Sequence, residues 1–213
     1  MSSARALLLS IVFCTPYSAF ADGADAKALA ALLRPVTTLS AHFTQTVLGA
    51  RFELLQSAEG ELHIQRPGKF RWRIVAPYPQ LIVTQGDRLW VYDEDLDQVQ
   101  IRPLAEAFDG TPARVLAGAL DELENDFEVT RVAQREEDVF RLVRRAQGAA
   151  YRELLLHFTG GRIREIEVMD SLGQLTQVRL SNVEVNEPLD PALFTFEIPP
   201  GVDVIGEAPP VGP

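Results

Sequence analysis

Phe70, Trp72 and Ile74 alternate with Arg71, Arg73 and Val75, and this period of two recurs along most of the chain. Leu62 and Ile64 face one way, His63 and Gln65 the other. Such alternation puts one row of side chains against a core and the next in solvent. Glycine-containing turns separate the segments at Pro67-Gly68, Gln85-Gly86-Asp87, Thr159-Gly160-Gly161 and Ser171-Leu172-Gly173. The spacing leaves no room for crossover helices, so the strands must pair antiparallel. Beyond Asp126 the pattern predicts strands over Phe127–Val132, Val139–Arg144, Arg152–Phe158, Ile163–Met169 and Leu175–Val185. In the last, Val178 and Leu180 share a face, whereas Val183 and Val185 fall in the opposite phase. A bulge near Ser181-Asn182 would return them to a common face.

Helical signals are few. Ala24 to Leu33 carries Leu29, Leu32 and Leu33 at helical spacing, and Pro35 stops the run. Pro103 to Ala119 breaks the strand rhythm. Within it, Thr111-Pro112 followed by Ala113-Arg114-Val115-Leu116-Ala117 reads as an N-cap, a proline at the first helical position and a helix. Leu89-Trp90-Val91-Tyr92 and Leu154-Leu155-Leu156 are apolar on both faces and need cover on both sides. A packed core would supply it. So would a curved sheet with helices over one face, which could enclose an apolar cavity.

The first 21 residues are read as outside the fold. Arg5 gives a positive start, Ala6 to Phe13 is too short an apolar run to span a bilayer, and Ala19-Phe20-Ala21 fits a cleavage site. This predicts a secretory signal peptide over 1–21, cut before Asp22. The single cysteine, Cys14, follows Phe13 rather than the small residue a lipid-modification site needs, so a soluble, disulfide-free protein of a bacterial periplasm is expected. One domain is expected over 22–207, with a disordered tail over 208–213. Losing Arg5 takes the formal charge from −10 to −11. An acidic chain with no basic block is a poor ligand for nucleic acid or anionic headgroups. It suggests instead that a docking rim is partly acidic and meets basic residues on a partner.

No nucleophile elbow, phosphate loop, dinucleotide fingerprint or zinc-protease helix is present. His42, His63 and His157 lack ligand spacing, and Asp93-Glu94-Asp95-Leu96-Asp97 lacks the spacing and glycine of a calcium loop. No enzyme, metal site or cofactor is therefore expected.

Several short motifs occur together in order: Ser40-Ala41-His42-Phe43-Thr44-Gln45, Gln65-Arg66-Pro67-Gly68-Lys69-Phe70-Arg71-Trp72, Pro77-Tyr78-Pro79-Gln80, Asp87 to Asp93, Leu96 to Val99, Thr111-Pro112, Asp170 to Gln174, and Phe194 to Val204. In this combination the chain resembles the periplasmic outer-membrane lipoprotein carrier family, the LolA type. The resemblance implies a mainly β (α+β) fold, an incomplete antiparallel β-barrel with helices forming a lid over a hydrophobic cavity. It implies a monomeric chaperone that accepts triacylated lipoproteins from an inner-membrane ABC transporter and carries them to an outer-membrane receptor lipoprotein. It also implies that Arg66 latches the lid through hydrogen bonds. Leu33, Phe43, Phe70, Trp72, Trp90 and Leu116 would line the lid and cavity. The chain departs from the commonest pattern at Ala113 and Arg114, where large apolar residues often follow Thr-Pro. Two other roles on the same fold remain open, an outer-membrane receptor and a non-enzymatic lipoprotein sensor.

Overall fold

The computed structural model describes residues 22–104, Leu116, Asn125, 127–133, 137–145 and 151–206. The expected signal peptide, the Thr111-Pro112 helix start with Ala113 and Arg114, and the expected tail lie outside the described residues.

The alternating segments pair into one twelve-stranded sheet. Helix α1 (Asp22–Leu33) comes first. Six strands follow: β1 (Thr38–Leu48), β2 (Leu54–Gln65), β3 (Lys69–Ala76), β4 (Gln80–Gln85), β5 (Arg88–Asp93) and β6 (Gln98–Pro103). After the middle segment come β7 (Phe127–Ala133), β8 (Asp138–Arg144), β9 (Tyr151–Thr159), β10 (Arg162–Asp170) and β11 (Leu175–Val185). A 3-10 turn (Pro191–Phe194) and the short β12 (Asp203–Ile205) close the order.

The strand order is β12-β6-β5-β4-β3-β2-β1-β11-β10-β9-β8-β7. Two antiparallel meanders meet where β1 pairs with β11, and β12 adds in parallel to β6. β12 and β7 stand at the two ends of this order, so the curled sheet stops short of a closed barrel. The predicted bulge is present: Ser40 pairs with Glu184, but His42 pairs with Ser181. The extra residue, Asn182, takes a positive φ of 51°, and Val183 and Val178 are both buried. At the β9–β10 turn Gly160 and Gly161 both have positive φ, as a two-residue hairpin with a primed turn requires.

The concave face carries the main core. Leu62, Phe140, Leu142, Leu154 and Leu156 are fully buried there, and α1 lays Ala26, Leu29 and Leu33 on them. The helix runs beside the edge strand β7, where the Asp25 carboxylate accepts from the Arg131 N–H at 2.9 Å.

A second apolar cluster lies on the outside of the sheet. Register puts Trp90 opposite Val83 and Ile101, and Val83 opposite Arg71, which sets Trp90 on the convex face. Leu81, Val83, Trp90, Val99 and Ile101 form this cluster, with Tyr92, Phe196 and Val202 packed over it. The cover expected from helices is supplied on this side by the C-terminal segment. The segment is pinned by the Phe196 N–H to Gln85 Oε1 at 2.7 Å and by Arg71 Nη1 to the Leu193 carbonyl at 3.0 Å. Phe194 ends a 3-10 turn, and Thr195 and Phe196 follow without regular structure.

Candidate functional site

The site lies where α1 ends over the concave face. Aromatic residues line the sheet below it. Phe43 and Trp72 stack with ring centroids 3.8 Å apart and an interplanar angle of 23°, and Phe70 lies 6.4 Å from Trp72. Gly60 makes this approach possible, because a Cβ there would fall 1.9 Å from the Arg73 carbonyl oxygen and 2.7 Å from Phe43 Cζ.

Arg66 follows β2 at a cis Arg66-Pro67 bond, and its own N–H donates to the Thr37 carbonyl at 2.8 Å. Its guanidinium reaches across to two separate helical pieces. Nη1 donates to the Leu33 carbonyl at 2.6 Å and to Val36 at 3.3 Å. Nε and Nη2 both donate to the Leu116 carbonyl, at 3.1 and 2.7 Å. Leu33 is the last residue of α1, and its carbonyl belongs to the negative end of the helix dipole, where a cation is favoured. The last turn of α1 holds no basic residue, so Arg66 supplies that charge from the sheet. Among the described residues its partners are all main-chain carbonyls. Burial lowers its pKa, yet an arginine stays protonated at any physiological pH.

Beside the guanidinium is an apolar cavity of about 50 Å³ bounded by Leu32, Leu39, Ile64, Leu116, Phe158 and Ile163. Among the described residues this cavity is well below the usual ligand-pocket range of about 300–1,000 Å³.

Asn186 was not legible as a site residue. Its side chain accepts from the Thr37 N–H at 2.8 Å and from Thr37 Oγ1 at 3.1 Å, and it donates to the Pro35 carbonyl at 3.0 Å. It thus clamps the link between α1 and β1. Its φ of 64° is a left-handed conformation that asparagine tolerates better than most residues.

The structure brings Leu33, Phe43, Phe70 and Leu116 into one buried cluster, with Trp72 packed against it. Trp90 stands apart, on the convex face beneath Phe196, their centroids 5.7 Å apart. A strand apolar on both faces does not say which side is inside, and the sheet register puts Trp90 outside.

The family profile described as outer membrane lipoprotein carrier protein LolA matches residues 34–197. The chain belongs to the LolA family. An outer-membrane lipoprotein carrier protein of Chromohalobacter salexigens is 40% identical over 202 residues, covering 95% of this chain and 96% of that one. One from Methylobacillus flagellatus is 36% identical over 198 residues, covering 92% and 95%. Among solved structures, an uncharacterized conserved protein from Thermus thermophilus aligns with a TM-score of 0.53 at 14% identity, covering 84% of this chain and 98% of that one. This last likeness concerns the fold. In LolA-family terms, the chain presents the open β-sheet with a helix across its concave face. It also presents the Arg-Pro turn from which the guanidinium reaches the helix end.

Proposed function

We propose that this chain is a periplasmic lipoprotein chaperone whose empty state is held closed by Arg66. The observation that carries the reading is the Arg66 guanidinium, which joins the α1 terminus to Leu116 beside a small apolar cavity. The mature protein begins at Asp22 and folds as one domain over 22–207. It accepts triacylated lipoproteins from an inner-membrane ABC transporter and hands them to an outer-membrane receptor lipoprotein.

Each CH₂ withdrawn from water contributes about 0.8 kcal/mol, so three acyl chains cross an aqueous compartment only if something shields them. A carrier without an energy source must also let go. A closed, self-satisfied empty state favours that release. Opening it costs free energy, which is subtracted from lipid affinity, and apparent affinity falls by the fraction of molecules that are open. On opening, Leu33, Leu116, Phe43, Phe70 and Trp72 would line the exposed site. Trp90 has no part in that lining.

The test is to purify the mature protein from its own periplasm and ask by mass spectrometry whether triacylated lipoproteins co-purify. Their presence supports the carrier reading, and their absence from both the wild-type chain and Arg66→Leu sinks it. Intact mass checks the processing: an unmodified chain starting at Asp22 is expected, and an acyl mass on Cys14 would favour a receptor.

A further inference from the structure

Strand register sends the β1–β2, β3–β4, β5–β6 and β10–β11 connections, and the C-terminal end of β8, to the same end of the sheet. Of these, β1–β2 and β10–β11 project furthest as a side-by-side pair. Leu48 faces both Leu54 and Leu175, whereas β3 already stops at Ala76, opposite Glu59. The two tips touch, since a Cβ on Gly173 would lie 3.5 Å from that of Ala50.

The pair is strongly apolar where it is most exposed. Phe52 is 71% exposed, Leu172 84% and Leu54 65%, and Leu55 is also exposed. None of them serves the core. Both tips are held in shape by their own hydrogen bonds. The Phe52 N–H donates to the Gly49 carbonyl at 2.8 Å, Gly49 N–H to the Glu53 carbonyl at 2.9 Å, and Arg51 N–H to Glu53 Oε2 at 3.1 Å. Asp170 Oδ1 accepts from the Leu172 and Gln174 N–H groups, each at 2.8 Å. Phe52 sits at φ 62°, an unfavourable backbone choice for a bulky residue. A rigid loop that spends backbone strain to hold a phenyl ring in water gains nothing for folding. It is pre-organised to bind.

Charge selects the partner. The described loops and strand ends here carry Glu53, Asp93, Glu94, Asp95, Asp97 and Asp170 against Arg51, Arg144 and Arg145. The opposite end is near balance, with Arg34, Arg66, Lys69, Arg88 and Arg162 against Asp87, Glu137, Asp138, Glu187 and Asp190. An acidic collar repels anionic headgroups and complements basic side chains. We infer that the paired tips, with Phe52 and Leu172 as anchors, dock into an apolar concavity flanked by Lys or Arg on a protein partner rather than into a bilayer. This rests on the carrier reading for what the partner is: one of the two membrane proteins between which cargo passes.

The test uses the mature protein and a Phe52→Ser/Leu172→Ser variant. Both are offered to the purified inner-membrane transporter in nanodiscs, to the soluble domain of the outer-membrane receptor, and to vesicles of phosphatidylethanolamine and phosphatidylglycerol. Binding of a fluorescent fatty acid and the melting temperature are read alongside. The variant is expected to melt and bind fatty acid as the parent does, yet to lose at least tenfold in affinity for one of the two proteins. Parent affinity should fall with added salt, and neither form should bind vesicles. Unchanged affinity for both proteins, no parent binding to either, or vesicle binding that the substitutions abolish would each overturn the assignment. Failure of the parent to bind fatty acid would count against the carrier reading instead, because the tips lie outside that site.

Discussion

At the scale of the residue, one guanidinium spans both helical pieces and replaces the water their carbonyls would otherwise bind. Arg66→Leu keeps an apolar stem and removes every donor. The lid then opens at lower cost, and affinity for an acyl probe should rise about tenfold, equivalent to about 1.4 kcal/mol. Titration with a fluorescent fatty acid checks this, with melting temperature measured to exclude misfolding. Gly60 bears a different load. Alanine there must displace the Arg73 carbonyl and the Phe43 ring, so Gly60→Ala should cost about 2 kcal/mol or more in denaturant unfolding. His63, on the convex face, has its pKa lowered, first by burial and then by Arg71 and His42, with Glu61 opposing. Its neutral form is favoured on folding. The stabilisation is therefore present above the ordinary histidine range near 6.5 and is lost as pH falls through the lower folded value. The melting temperature should fall between pH 7.5 and 5.5, and His63→Gln should flatten that fall.

At the scale of the element, α1 and the C-terminal segment cover opposite faces of the same sheet. The chain's two tryptophans report on them separately. Trp72 lies on the concave face with Phe43, and Trp90 lies on the convex face with Phe196. Phe196→Ala should red-shift the emission of Trp90 and cost about 1–2 kcal/mol, as expected for removing a half-buried ring. Fatty-acid binding should change the emission of Trp72 alone, which single-tryptophan variants can resolve. The strands were legible because alternation is a local signal, written in residues such as Phe70 to Val75. The Ser181-Asn182 bulge was legible for the same reason, as a break in phase. The side to which Trp90 belongs was not, since it depends on β4, β5 and β6 pairing with β3 in one register, a long-range fact. Nor was the clamp of Asn186 on Pro35 and Thr37, which joins residues about 150 positions apart. Arg66 was reached only through the combined motifs. By itself an arginine before Pro-Gly reads as an exposed strand end.

At the scale of the whole molecule, a small closed cavity and an open sheet describe two ends of one cycle. On the proposed cycle, closing leaves only a small apolar cavity beside Arg66. Open, the site presents an aromatic floor. The free energy that separates the two states sets how willingly cargo leaves. Arg66 holds the α1 end and Leu116 together on the closed side, so the account makes a definite claim about cargo in cells. The most direct measurement is the amount of triacylated lipoprotein bound per folded molecule, for the wild-type chain and Arg66→Leu, each purified from the periplasm. The account predicts little cargo on the wild type and near-stoichiometric cargo on the variant, because the variant loads but does not unload. Equal occupancy in two equally folded proteins would contradict it.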